Sequence, residues 1–241
     1  MDYSKYLDEI IELSSTQKEQ LYRYFNLLVE SSKVMNLTTI TEKEDVYIKH
    51  FYDSILALKH LENTKDITLL DIGSGAGLPG IVLKIAYPNT KITLLEPTTK
   101  RCNFLNSVIE KLDLKDIIVV NDRAENYIKD RRETYDFVTA RAVASLPVLT
   151  ELCLPFTKIG GTFLAMKAQN SDEEIKASLR AIDKCGGEYY KTVFKKLRVI
   201  DDSLPDAEEK NETRSLIIVK KVKKTPEIYP RHYSKITKKP L

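Results

Sequence analysis

Half of the eight glycines in this chain fall within one octet, in the run Asp71-Ile72-Gly73-Ser74-Gly75-Ala76-Gly77-Leu78-Pro79-Gly80. Such a concentration on one turn implies positive φ or close approach of a ligand. The run follows an apolar stretch and precedes Ile81, Val82, Leu83 and Ile85, which places it between a strand and a helix. Backbone N–H groups at such a junction suit a nucleotide-like ligand. A dinucleotide loop needs G-x-G-x-x-G, but Gly73, Gly75 and Gly77 read G-x-G-x-G and the sixth position is Leu78. Asp71 at the strand end adds a carboxylate, unfavourable beside a pyrophosphate and suited to a cation. S-adenosylmethionine, which carries a sulfonium and an ammonium, is the expected ligand. The next strand ends in Glu96, about twenty residues past the glycines, where a carboxylate can accept both ribose hydroxyls. A third tip, Asn121-Asp122-Arg123-Ala124-Glu125, is expected either at the adenine or as a helix cap.

These residues need strands to carry them to one edge. Residues 67–72, 91–95, 116–120 and 137–140 are short apolar runs separated by helical patterns, the texture of parallel βαβ units. Gly160-Gly161 precedes a further strand at 162–166, and a helix is expected at 171–184. Gly186-Gly187 opens a long run to residue 200, and 215–222 forms a last strand. The expectation is an α/β fold with a mostly parallel sheet and a C-terminal antiparallel hairpin. The first sixty residues read as helices. Thr16 with Glu19 matches a capping box ahead of Leu21, Tyr24, Phe25 and Leu28; Thr41 with Glu44 repeats it ahead of Val46, Phe51, Ile55 and Leu58. Residues 35–41 read as a loop. Three segments result: a helical extension at 1–62, the main domain at 63–224 and a basic tail at 225–241 packed on, or extending, the same domain.

Composition narrows the class. Of 241 residues, 42% are hydrophobic and 30% charged, which excludes disordered, collagenous and coiled-coil chains. The net charge of +3 is small but unevenly spread. From residue 220 onward eight basic side chains face one acid, so that segment is +7 and the remainder −4. A cationic end on a mildly acidic body suits contact with a polyanion, or serves solubility alone. Cys102, Cys153 and Cys185 are odd in number and lack a C-x-x-C spacing, and with three histidines in the chain neither a disulfide framework nor a metal site is expected. No apolar run approaches the ~18 residues that span a bilayer, and the first residues lack a signal-peptide pattern. A cytoplasmic protein without membrane contact is expected.

An ordered set of motifs resembles the bacterial small-subunit ribosomal RNA guanine-N7 methyltransferases, also called the glucose-inhibited division protein B family. The set begins with Met35-Asn36-Leu37-Thr38 and Lys49-His50-Phe51-Tyr52-Asp53-Ser54, then residues 71–80. It continues through Lys100-Arg101 with Phe104-Leu105, Arg123-Ala124-Glu125, Ala140-Arg141-Ala142-Val143 and Leu164-Ala165-Met166-Lys167. Thr225-Pro226 and Tyr229-Pro230-Arg231 close it. The resemblance implies a Rossmann-like class I methyltransferase fold, S-adenosylmethionine as donor, and a guanine of 16S ribosomal RNA, free or in the small subunit, as acceptor. By position it implies cofactor contacts at Gly73, Leu78, Glu96, Pro97, Thr98, Ala124, Glu125 and Arg141, with Asp71, Gly75 and Gly77 completing the loop. The chain departs from the family at Pro97, where many members have serine, and after Arg231, where many carry Pro-Gly.

The reaction type has its own signature after the fourth strand. Methylation of an exocyclic amine uses an acid or amide followed by Pro-Pro and an aromatic; here the chain reads Thr139-Ala140-Arg141-Ala142. Methylation at a pyrimidine C5 needs a cysteine nucleophile, but Cys153 sits between Leu152 and Leu154 and reads as core. Guanine N7 has an in-plane lone pair and no proton, so its methylation needs no general base. No catalytic residue is certain; Arg141 is expected to position substrate or cofactor, contacting guanine O6, a phosphate or the cofactor and leaving N7 free. Lys100, Arg101, Arg123, Lys167 and Arg231 are candidates for RNA phosphates. His50 and Asp53 could meet RNA, the glycine loop or each other. A monomer is expected. The rivals are a small-molecule methyltransferase, a nicotinamide oxidoreductase disfavoured by Leu78, and an RNA-binding factor without turnover.

Overall fold

Strand pairing in the computed structural model, which describes residues 3–59, 66–141, 143–168, 172–200 and 209–241, follows the apolar runs closely. The segment boundary at 62/63, Ala142 and the helix start at Ser171 lie outside the described residues. The N-terminal part holds α1 (Lys5–Asp8), α2 (Ser15–Met35), α3 (Lys43–Asp45), a π-helical stretch at Val46–Tyr52 and α4 (Asp53–Lys59). The main body alternates β1 (Thr68–Ile72), α5 (Gly80–Ala86), β2 (Lys91–Leu95), α6 (Thr99–Lys111), β3 (Ile117–Val120), α7 (Ala124–Tyr127), β4 (Tyr135–Arg141), α8 (Leu146–Cys153) and β5 (Thr157–Ala168). It ends with α9 (Asp172–Lys184), β6 (Gly187–Ile200), β7 (Glu209–Lys221) and α10 (Tyr233–Lys238).

The seven strands form one sheet in the order β3-β2-β1-β4-β5-β7-β6. Pairs from β3 to β5 are parallel, and β7 runs antiparallel to both β5 and β6. The chain therefore winds outward from β1 to β3, then restarts on the other side of β1 with β4. That reversal makes the carboxyl ends of β1 and β4 the switch point where open α/β sheets bind ligands. This is a Rossmann-like, doubly wound α/β fold, with helices placed before it and an antiparallel hairpin after it.

Each sheet face buries its own core. One face packs Leu69, Leu94, Phe137, Leu164 and Ile218 in a core shared with α5 and α6, through Ile81, Phe104, Leu105 and Val108, and with the N-terminal helices, through Leu21, Tyr24, Leu28, Val46, Phe51, Ile55 and Leu58. The other packs Leu70, Val138, Phe163 and Ile217 against α8, α9 and the C-terminal segment, through Leu149, Cys153, Ile182 and Ile236. The N-terminal helices thus join that core by packing on α5 and α6. They also finish those helices: Gln17 Nε2 donates to the carbonyls of Ile85 and Ala86 at the end of α5, at 2.7 and 3.2 Å. Gln20 reaches the carbonyl of Leu112, and Arg23 that of Lys111, at the end of α6. Terminal carbonyls that have no partner within their own helix gain one from α2.

Local details depart from the sequence expectation. The capping box of α2 is Ser14 with Gln17, not Thr16 with Glu19, each side chain bonding the other's backbone N–H. The box expected at Thr41 does not form: α3 follows Glu42, whose side chain makes no cap, and Glu44 accepts the Tyr6 hydroxyl at 2.9 Å. Gly160-Gly161 lies inside β5, within a bulge that separates the pairs Tyr135–Thr157 and Phe137–Thr162. The expected strand at 162–166 is therefore only the second half of β5.

Candidate functional site

The glycine loop closes over the ends of β1 and β2. Gly73 and Ser74 both donate N–H to the Leu95 carbonyl, at 2.8 and 3.3 Å, and Ser74 Oγ donates to the Asp71 carbonyl at 2.8 Å. Gly77 has φ +96°, and a Cβ there would lie 2.4 Å from Ile81 Cγ1 and 3.1 Å from the Tyr24 hydroxyl. Tyr24, from α2, donates to the neighbouring Ala76 carbonyl at 2.7 Å. Gly75 is the exception: a Cβ there would meet only the Gly73 carbonyl, at 3.8 Å. The loop is packed beneath and open above Gly75.

Glu96 completes the loop from β2. Its Oε2 accepts the Gly75 N–H at 3.0 Å and its Oε1 the Thr98 N–H at 2.9 Å, with Arg101 Nη1 at 3.9 Å. Only 2% of the residue is exposed, yet it borders a cleft of about 290 Å³. That cleft runs along the tips of β1, β2 and β3, lined by Gly73, Glu96, Pro97, Thr98, Arg101 and the stretch 122–125. Ile72, Leu95, Val143, Leu152 and Tyr233 give it an apolar wall. Of the residues expected at a cofactor, Gly73, Glu96, Pro97, Thr98, Ala124 and Glu125 border this space.

Asp71 stands apart from the cleft lining. It is fully buried below the loop, where Oδ2 accepts the Gly80 N–H at 3.0 Å. A Cβ on Gly80 would fall 2.8 Å from that oxygen, so the glycine allows the carboxylate to anchor the helix start. Burial raises its pKa from 3.8 to about 7, against the pull of the Gly80 and Ser74 hydrogen bonds and of Arg141, with Glu96 adding to the rise. Gly77 and Leu78 likewise face inward; Leu78 packs against the core shared with the N-terminal helices.

Arg141 also lies away from the cleft lining. At the tip of β4 it donates from Nη2 to the Lys49 carbonyl at 2.9 Å and to His50 Nδ1 at 2.8 Å, and Nη1 lies 3.5 Å from Asp53 Oδ2. Arg214 Nε stands 3.8 Å from the same oxygen. With Nδ1 accepting from arginine, the His50 proton sits on Nε2, directed at Thr38 Oγ1 at 2.9 Å. Burial, then Arg141, lowers the His50 pKa from 6.5 to about 3, so the ring is neutral. The network ties the π-helical stretch to the sheet, which assigns His50 and Asp53 to each other's surroundings and gives Arg141 a structural partner set.

The phosphate candidates divide. Lys100 and Arg123 are exposed beside the cleft, and Arg101 lines it. Lys167 is engaged by Glu174 at 2.8 Å and the Ala144 carbonyl at 2.9 Å. Arg231 forms a fork with fully buried Glu151, from Nε at 2.8 Å and Nη2 at 2.6 Å. Both side chains are held in ion pairs with carboxylates of the same chain. Cys153 is fully buried with its thiol pKa raised by burial, which leaves no thiolate for attack. Asp122 borders the cleft with the rest of the β3 tip, whereas Val143, Leu152 and Tyr233 carry no such expectation from the sequence. A signal for the tail's position existed: Glu151 is a lone acid in an apolar helix and needs a cation partner.

Comparisons with known proteins agree with this architecture. The family model GidB, rRNA small subunit methyltransferase G, matches residues 17–201. Ribosomal RNA small subunit methyltransferase G of Bacillus cereus (strain B4264) is 46% identical over 233 residues, covering 96% of this chain and 93% of that protein. The YcgJ protein of Bacillus subtilis superimposes with a TM-score of 0.57 at 14% identity, over 72% of this chain and 100% of that one. M. jannaschii TYW2, solved in complex with AdoMet, gives 0.55 at 13% identity, over 76% of this chain and 80% of that one. Those two likenesses carry the fold; the family model and the near-full-length identity carry more, and by them this chain is a methyltransferase that belongs to the rRNA small subunit methyltransferase G family.

Proposed function

We propose that this protein transfers a methyl group from S-adenosylmethionine to N7 of a guanine in 16S ribosomal RNA, free or within the small subunit. The name of its relatives supports ribosomal RNA as substrate. The observation that carries the donor is Glu96: each carboxylate oxygen accepts one backbone N–H and keeps a lone pair for a ribose hydroxyl at the cleft. The donor set fits in other ways. Space above Gly75 is open, Glu96, Asp122 and Glu125 favour a cationic ligand, and the apolar wall suits a flat base. When bound, S-adenosylmethionine supplies an electrophilic methyl group on sulfonium sulfur.

The chain's residues hold, orient and exclude water. Gly73, Gly75 and Glu96 fix the nucleoside end, while the stretch 122–125 closes the far end at β3. The guanine N7 lone pair attacks in line without loss of a proton, which agrees with a β4 tip that carries arginine and no acid. Positioning of this kind is worth about 7–11 kcal/mol of barrier. Lys100, Arg101 and Arg123 take the RNA backbone. With ribosomal RNA as substrate, the site of action is the cytoplasm, and one catalytic domain acts as a monomer. The test is transfer of labelled methyl from S-adenosylmethionine to small subunits and to protein-free 16S RNA from cells lacking this protein. A single N7-methylated guanine is the expected product. No transfer to either, with S-adenosylhomocysteine still bound, would move the acceptor to a small molecule.

A further inference from the structure

We propose that the C-terminal segment 225–241 is part of the cofactor site, with the Tyr233 ring forming the wall at its base-binding end. This rests on the S-adenosylmethionine reading above. The structure folds this basic segment back on the main domain and fastens it at several points. Arg132 donates to the carbonyls of Tyr229, Thr225 and Pro226 at 2.8, 3.1 and 3.2 Å. Thr225 N–H donates to Glu133 Oε1 at 2.8 Å, and the Arg231 backbone N–H joins its side chain on Glu151, at 2.9 Å. Ile236, one turn into α10, is fully buried in the core beneath α8.

Held this way, Tyr233 reaches the cleft at one particular corner. Its N–H donates to Glu125 Oε1 at 3.3 Å, and the Arg123 guanidinium carbon lies 5.8 Å from its ring centroid. Both neighbours follow β3. The glycine loop follows β1 and Glu96 follows β2, and these strands lie side by side in the order β3-β2-β1. A nucleoside whose ribose sits at Glu96 therefore extends its base either over the loop or towards β3. The packed loop and the acid at Glu96 leave the β3 corner, where Tyr233 supplies a flat apolar face. A heterocyclic base gains dispersion contact and loses water against such a face, and the gain belongs to the ring rather than the hydroxyl. The outer side of α10 carries exposed Lys235, Lys238 and Lys239, which take no part in this wall.

Calorimetric titration of the full chain with S-adenosylhomocysteine and with adenosine tests the assignment. Tyr233→Ala is expected to weaken both ligands about tenfold, the equivalent of one lost base–aromatic contact. Tyr233→Phe keeps wild-type affinity, and a Lys235→Ala/Lys238→Ala/Lys239→Ala variant does too, with the thermal midpoint of the free protein unchanged throughout. Should the alanine variant fold poorly, Tyr233→Leu keeps apolar bulk without a flat face and must lose a similar factor. Wild-type affinity in Tyr233→Ala, or an equal loss in Tyr233→Phe, overturns the proposal. A wild-type protein that binds neither ligand overturns instead the cofactor reading beneath it.

Discussion

Asp71 and Glu96 stand at the ends of neighbouring strands and are both buried, but their oxygens accept different bonds. Glu96 has a backbone N–H on each oxygen, whereas Asp71 has the Gly80 N–H on Oδ2 while Oδ1 is buried with no partner among the described residues. An unpaired buried oxygen favours the protonated acid. The folded protein therefore holds a proton on Asp71 up to about pH 7 that the unfolded chain releases near 3.8. Between those values the native state binds more protons, so this group's contribution to stability is full at low pH and is lost as pH rises. His50 acts in the opposite sense: with its pKa lowered from 6.5 to about 3, its contribution is full above 6.5 and is lost as pH falls. Denaturant unfolding of Asp71→Asn and wild type from pH 4.5 to 8 separates the two. The variant's stability relative to wild type should rise with pH across that window, and a constant difference would return Asp71 to an ordinary carboxylate. Glu96→Ala removes the ribose acceptors and leaves two N–H groups unmatched. At about 1.5–3 kcal/mol for each bond to a charged group, S-adenosylhomocysteine affinity should fall about a hundredfold or more.

At the scale of elements, α2 acts on the site without touching the cleft. It caps α5 and α6 and fixes the glycine loop through Tyr24, whose hydroxyl serves the buried Ala76 carbonyl. Tyr24→Phe keeps the packing and deletes that bond, which should cost about 1–2 kcal/mol in denaturant unfolding and weaken S-adenosylhomocysteine binding. Equal affinity in the variant would separate the helix from the loop. The same helix shows what the sequence can and cannot convey. Its apolar spacing was legible, and so were the strands, because both follow local periodicity. Its cap was not: the box forms at Ser14 with Gln17 rather than at Thr16 with Glu19, and the contact of Gln17 with α5, 68 residues away, accompanies that choice. Likewise Gly73, Glu96 and Ala124 were legible because each follows its strand, whereas Tyr233 meets Glu125 across 108 residues of chain. Asp71 and Arg141 lie outside the cleft lining for a related reason. Residue type indicated charge at a strand end, but the direction of each side chain depends on Gly80, Lys49 and His50, set by tertiary packing.

On the scale of the whole molecule, the basic tail is not a single electrostatic feature. Arg231 is committed to Glu151 and Lys221 to Glu133, buried among the carbonyls of Leu154 and Cys185, while Lys224, Lys235, Lys238 and Lys239 are exposed. Arg231→Ala would strand the fully buried Glu151 carboxylate and should cost about 3–5 kcal/mol of stability. The exposed groups belong to a different balance. Lys100 and Arg123 lie beside the cleft at the carboxyl edge of the sheet, and each phosphate they neutralise releases counterions from the RNA. Binding of 16S RNA should therefore weaken steeply between about 50 and 200 mM salt, and Lys100→Ala or Arg123→Ala should each reduce the log–log slope by about one. Lys167→Ala should leave that slope unchanged, because Glu174 and the Ala144 carbonyl already hold its ammonium. Fluorescence titrations across a salt series distinguish the two sets. A slope altered by Lys167 and untouched by Lys100 and Arg123 would move the RNA track away from the β2 and β3 tips and towards β5.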